Sequence, residues 1–154
     1  MNNLRTKIGV LGAGSWGTVL SEIASSNGYE ILLWSRNKNT VDEINNKHTN
    51  KKYTGKKKLC ERIKATTNQK DVLKLSHVII SIPSSSVRGF FKKNKNSVGN
   101  STSFLIASKG LERGSFKSLS EILHEELSPY AKLSVLSGPN LASEIIEGMT
   151  SACV

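Results

Sequence analysis

The residues of this chain whose spacing points most directly to chemistry are three glycines. Gly12-Ala13-Gly14-Ser15-Trp16-Gly17 follows the pattern G-x-G-x-x-G. In that pattern the first glycine permits a tight turn. The second lets the backbone approach a pyrophosphate, and the third lets a helix pack close to a strand. The pattern is weak alone and specific when a strand precedes it and a helix follows. A helix N-terminus then presents free N–H groups and the positive end of its dipole to anionic phosphates. Dinucleotide binding is the chemistry expected of Gly12, Gly14 and Gly17.

A second signal lies about 20 residues further on, where an acidic residue usually bonds the ribose 2′-hydroxyl of NAD. The chain reads Trp34-Ser35-Arg36-Asn37 there, without a carboxylate. Arg36 puts a guanidinium where a 2′-phosphate would sit, and its planar fork suits phosphate oxygens. NADP(H) is therefore favoured over NAD(H). The alternative is a surface arginine that tolerates either cofactor.

These residues need elements to hold them, and the apolar pattern supplies them. Lys7 to Leu11 reads as a buried strand, and Ser15 to Ser26 as a helix ended by Asn27-Gly28. Glu30 to Trp34 reads as a strand and Asn39 to Asn46 as a short helix. Ile63 to Thr66 is a weaker strand, followed by a helical turn from Lys70 to Leu75. His77 to Ile82 is a strand stopped by Pro83, and Ser84-Ser85-Ser86 is read as capping the helix that carries Val87, Phe90 and Phe91. A strand at Ser103 to Ala107, a helix at Phe116 to Leu127, a strand at Leu133 to Leu136, a helix at Asn140 to Glu147 and a final strand from Thr150 to Val154 complete the chain. Strands alternate with helices throughout. That pattern specifies the α/β class, a doubly wound and mostly parallel Rossmann-like sheet, as one domain over residues 1–154.

Composition fits this reading. The chain has 154 residues with 37% hydrophobic and 22% charged side chains, as expected for one globular domain. No apolar run reaches the ~18 residues of a membrane span. The N-terminal residues carry no signal peptide, so a cytoplasmic location is expected. Cys60 and Cys153 lie far apart without metal-ligand spacing around them, so neither a disulfide nor a metal site is expected. His48, His77 and His124 read as structural or surface residues. The net charge is +10, with Lys47, Lys51, Lys52, Lys56, Lys57 and Lys58 in one stretch around Tyr53. That stretch reads either as a solvated loop or as a device that steers anions. No nucleic-acid recognition motif accompanies the charge, so no nucleic-acid partner is expected.

Four segments in order resemble the N-terminal, dinucleotide-binding domain of bacterial-type NAD(P)-dependent glycerol-3-phosphate dehydrogenase. They are Gly12 to Gly17 with Thr18; Ser81-Ile82-Pro83-Ser84; Ser108-Lys109-Gly110-Leu111-Glu112; and Ser137-Gly138-Pro139-Asn140 with Leu141-Ala142-Ser143-Glu144. The resemblance covers essentially the whole chain. It implies reversible hydride transfer between NAD(P)H and dihydroxyacetone phosphate, giving sn-glycerol 3-phosphate for phospholipid synthesis. It implies that Ser15, Trp16 and Ala142 contact the cofactor, Arg36 its adenosine-ribose end, and Tyr53 the cofactor from the lysine-rich loop. Lys109 would lie near both nicotinamide and substrate, and Gly138 and Asn140 would help form the substrate pocket. Pro83, Lys109 and Gly138 each follow a predicted strand, at the sheet edge where open α/β folds bind ligands.

The chain departs from the pattern at Leu141, where the family has an aromatic residue, and in its lysine-rich segment before Ile63. The family's helical C-terminal domain supplies the general acid/base lysine and most of the phosphate grip. Nothing up to Val154 matches them, so no catalytic residue is assigned and this chain alone is expected to be inactive. A homodimer is left open for a longer form. The competing readings are a stand-alone dinucleotide-binding or sensor module without catalysis, and half of a related hydroxyacid dehydrogenase.

Overall fold

The computed structural model describes residues 6–154. Its six strands are β1 (Lys7–Leu11), β2 (Glu30–Trp34), β3 (Ile63–Thr66), β4 (His77–Ile80), β5 (Ser103–Ile106) and β6 (Lys132–Val135). All five pairings are parallel, in the order β3-β2-β1-β4-β5-β6. The helices are α1 (Ser15–Ser26), α2 (Lys38–Lys47), α3 (Lys51–Thr54), α4 (Gln69–Leu73), α5 (Ser84–Asn94), α6 (Leu119–Glu126) and α7 (Ala142–Ile146).

A parallel sheet covered on both faces must be apolar on both, which is why the inner strands β1, β2 and β4 read as runs and not as alternations, while the edge strands β3 and β6 keep exposed positions. Neighbouring residues of one strand accordingly enter opposite cores. Leu11, Ile80, Phe91, Phe104, Ile106, Ile122 and Leu123 pack in one. Val10, Ile31, Leu33, Ile44, Ile63 and Ile79 pack in the other.

The register places the site. Leu11 is level with Trp34 and with Ile80, Ile80 with Ile106, and Ile106 with Val135. The residues that follow, Gly12, Ser35, Ser81, Ala107 and Leu136, therefore leave the sheet together at the carboxyl ends of the strands. Chain order runs outward from β1 to β3, then resumes on the other side at β4. The β1–β4 junction is thus the topological switch point where such sheets bind ligands.

Four local expectations need correction. The 116–127 helix begins at Leu119, because Ser118 and Glu121 form a reciprocal capping box that sets its start. Phe116 lies in the preceding loop at φ 58°. The serine triplet does not cap α5, since Pro83 occupies the N-cap position without a side-chain cap bond. The lysine-rich stretch is not all loop but contains the single turn α3. Residues 150–154 form no strand. Their pairing with the sheet edge is the reciprocal Ser137–Val154 backbone bonds of 3.0 and 2.8 Å. Asn140 Nδ2 uses its donors on Ser151 Oγ and the Ala152 carbonyl, which replaces a ladder with a side-chain tie.

The tightest packing in the fold is at Gly17. A Cβ there would lie 1.9 Å from the Gly12 carbonyl oxygen and 2.4 Å from Ser81 Oγ. Gly17→Ala should therefore cost about 2–3 kcal/mol of stability through overpacking, read as a lowered midpoint in urea unfolding. An unchanged midpoint would mean that α1 can move off the sheet freely.

Candidate functional site

The glycine turn delivers α1 to the switch point. Gly12 has φ 110°, a conformation that glycine adopts at little cost. Its N–H donates to the Trp34 carbonyl at 3.1 Å. Ser81 Oγ donates to the Leu11 and Gly12 carbonyls at 2.9 and 3.1 Å, tying the turn to the end of β4. Gly14 is the N-cap of α1 and contributes no side-chain cap. The first N–H groups of that helix, with no intrahelical partner, therefore open outward without a capping oxygen. A Cβ at Gly14 would meet no atom within 4 Å. The turn presents bare backbone and positive dipole to whatever lies above it.

What lies above it is an open cleft of about 950 Å³. Gly12, Gly14, Ser15, Trp16, Arg36, Tyr53, Lys109, Asn140 and Ala142 all line it. Gly17 does not line it and acts by the close packing described above. Gly138 does not line it either, but its carbonyl accepts from Lys109 Nζ at 3.1 Å. Lys109 also donates to the Asn140 carbonyl at 3.3 Å, leaving one of the three ammonium hydrogens for another partner. Trp16 Nε1 donates to the Ala107 carbonyl at 3.0 Å, so the indole joins α1 to the end of β5. Arg36 is exposed, and its guanidinium makes no hydrogen bond or ion pair among the described residues. It follows β2 while Lys109 follows β5. Three strand spacings separate those strands, or ~14 Å, so the two cations start from opposite sides of the switch point.

Several contributors carry no signal in the sequence. Trp34 and Phe90 line the cleft with ring centroids 5.2 Å apart. Ser108 Oγ donates to the Ile82 carbonyl at 2.6 Å. Asn50, buried in the lysine-rich stretch, bonds the glycine turn. Arg88 on α5 grips Glu112 through Nε and Nη2 at 2.8 and 2.9 Å, and also pairs with Glu125 and Glu126 at 2.8 Å each. Glu112 belongs to the Lys109 segment, so this clamp ties that loop to α5. The three histidines stay outside: none lines the cleft. Cys60 and Cys153 are free thiols.

Comparison with known proteins gives the family. The family model described as NAD-dependent glycerol-3-phosphate dehydrogenase N-terminus matches residues 7–154. The chain belongs to that family. It is 37% identical over 142 residues to glycerol-3-phosphate dehydrogenase [NAD(P)+] of Macrococcus caseolyticus, covering 90% of this chain and 43% of that one. It is 35% identical over 144 residues to the Staphylococcus aureus protein of the same name, covering 92% and 43%. The crystal structure of glycerol-3-phosphate dehydrogenase from Coxiella burnetii superposes with a TM-score of 0.89 at 31% identity, over 97% of this chain and 46% of that one. The chain thus spans less than half the length of these family members.

The Arg88 guanidinium, helped by the Ser115 hydroxyl, holds the Glu112 carboxyl down at about 2. A carboxylate depressed from ~4.3 in the unfolded chain contributes stability that is present above that value. The contribution is lost as pH falls through the folded value. The stability difference between the native chain and Glu112→Gln should therefore be constant near neutrality and shrink toward zero as pH drops from about 4 to 2, measured by urea unfolding across pH. A difference that does not vary with pH would show that the charge plays no part in the clamp.

Proposed function

We propose that residues 1–154 are the NAD(P)-binding domain of a glycerol-3-phosphate dehydrogenase, with NADP(H) preferred. The observation that carries this reading is the uncapped first turn of α1, opening at the switch point into a cleft with Arg36 and Lys109 on either side. In the reading, the pyrophosphate meets the backbone N–H groups of Ser15 and Trp16 above Gly14. The nearby Gly12 and Gly17 shape the turn. Arg36 takes the adenosine-ribose end, Tyr53 adds its ring from α3, and Ala142 adjoins the cofactor from the far wall. The missing carboxylate after β2 and the guanidinium in its place support NADP(H).

When bound, the nicotinamide supplies or takes the hydride exchanged with the carbinol carbon. The chain's own residues would position the partner, dihydroxyacetone phosphate or sn-glycerol 3-phosphate. Lys109 donates its remaining N–H to a substrate oxygen, while Gly138 and Asn140 hold that ammonium by their carbonyls and form part of the pocket wall. Reduction of a ketone builds alkoxide character that needs a positioned proton donor. Lys109 can polarise one oxygen, yet it is the only ammonium at that end of the cleft, where the other polar side chains are neutral serines and Asn140. A substrate phosphate calls for more positive charge than one lysine that is also polarising the reacting oxygen. The reading therefore makes this the cofactor half of a two-part catalyst; a cytoplasmic location and a role in phospholipid synthesis belong to the same reading through the family resemblance.

Calorimetric or fluorescence titration tests the reading, with NADPH expected to bind more tightly than NADH. The reverse order would overturn the preference, and binding of neither would overturn the site. Arg36→Asp should shift the preference toward NADH. Gly14 has φ −76°, open to any residue, so Gly14→Val should fold and lose most cofactor affinity; a folded variant that binds normally would refute the pyrophosphate placement. Purified chain 1–154 with NADPH and dihydroxyacetone phosphate should show no useful loss of NADPH absorbance. Turnover like that of an intact dehydrogenase would make Lys109, or another group here, the proton donor.

A further inference from the structure

The fold separates the six lysines between positions 47 and 58 into different environments. The base of that stretch is closed by the Leu59 N–H, which donates to the His48 carbonyl at 2.8 Å. Asn50, only 1% exposed, donates from Nδ2 to the Ala13 carbonyl at 3.0 Å and to Thr18 Oγ1 at 2.9 Å. Glu43 Oε1 accepts from the Lys51 N–H and from Thr49 Oγ1 at 2.8 Å each, and the Lys51 N–H lowers the Glu43 pKa. The α3 turn is thus fastened to the glycine turn on one side and to α2 on the other. Lys57 Nζ donates to the Ile146 carbonyl and Lys58 Nζ to the Lys47 carbonyl, which commits two ammonium groups to backbone oxygens.

Of the six lysines, Lys52 alone lines the cleft. Its Nζ lies 5.3 Å from the Tyr53 ring centroid, within cation–π range, so the ring restrains its swing. Lys52 and Arg36 both come from the crossover between β2 and β3, whereas Lys109 comes from the other side of the switch point.

We propose that Lys52 is a specificity-determining residue that, with Arg36, recognises a phosphate monoester on the adenosine ribose of the cofactor. This rests on the cofactor reading above. A phosphate monoester is close to dianionic at neutral pH. A guanidinium engages two of its oxygens in one plane, and a point-like ammonium from the neighbouring turn takes the third. NAD(H) carries a neutral hydroxyl at that position, so Lys52 gives it almost nothing.

Titrations of the chain with NADPH and NADH, at low and at physiological salt, separate the outcomes. Lys52→Met should weaken NADPH about tenfold, as expected for loss of one charge-assisted hydrogen bond, and leave NADH within about twofold. Lys52→Arg should restore most of the loss. Lys56→Met, an equal charge change on an exposed lysine outside the cleft, should leave both unchanged. Equal weakening of both dinucleotides by Lys52→Met would overturn the proposal in favour of packing over their shared part. Equal weakening of NADPH by Lys52→Met and Lys56→Met would overturn it in favour of a diffuse field, and no change would overturn it outright. A native chain, folded by circular dichroism, that binds neither dinucleotide would instead overturn the cofactor reading itself.

Discussion

The close approach of α1 to the sheet is the constraint on which the site depends. It exists because Gly17 has no side chain and because Ser81 bonds the carbonyls of Leu11 and Gly12. Two strands and one helix meet there within van der Waals contact. The helix axis is thereby aimed out of the sheet edge, and its unpaired N–H groups face the cleft. A side chain at position 17 would tilt that axis, and every contact proposed for the cofactor phosphates would shift with it. The rest of the domain acts as a mount. Two cores, one on each face of the sheet, hold six strands in a register that ends them level.

Around this mount the loops are tied by polar groups, not by further burial. Trp16 joins α1 to β5, and Asn50 joins α3 to the glycine turn. Arg88 joins α5 to the Lys109 loop, and Lys109 joins that loop to residues 138 and 140. Each tie crosses between elements distant in sequence. Loops that run over a surface cannot bury enough apolar area to fix themselves, so hydrogen bonds and ion pairs set their geometry. This explains how a ligand site can be well shaped on connections with few core contacts. It also explains why charge matters locally here: the +10 balance is an average over lysines with quite different surroundings.

The far end of the domain is organised differently. β6 is the edge of the sheet and its residues are largely exposed. Leu141, Met149 and Val154 are also exposed, at 57%, 60% and 98%. The segment after Gly138 is held by the amide of Asn140, by the ammonium groups of Lys109 and Lys57 on the Asn140 and Ile146 carbonyls, by burial of Ile146 and by one pair of backbone bonds, where the inner strands have full ladders and two covered faces.

The sequence by itself determined the strand–helix alternation, because apolar runs flanked by glycine and by helical spacing leave few other folds. It also determined the glycine turn, since that pattern requires only its own six residues, a strand before it and a helix after it. Arg36 and Lys109 were legible for the same reason: each follows a strand end, and the strand ends are what the pattern reports. The tertiary structure decided the rest. Position along the chain does not reveal that Asn50 reaches Ala13, 37 residues earlier, or that Arg88 reaches Glu112, 24 residues later. Nor does it show which lysine of six faces the cleft, since the six are chemically alike and differ only in what the fold places beside them. The expected strand at residues 150–154 had the right composition and failed for the same cause. A strand needs a partner ladder along its whole length, and here the edge pairs only at Ser137 and Val154.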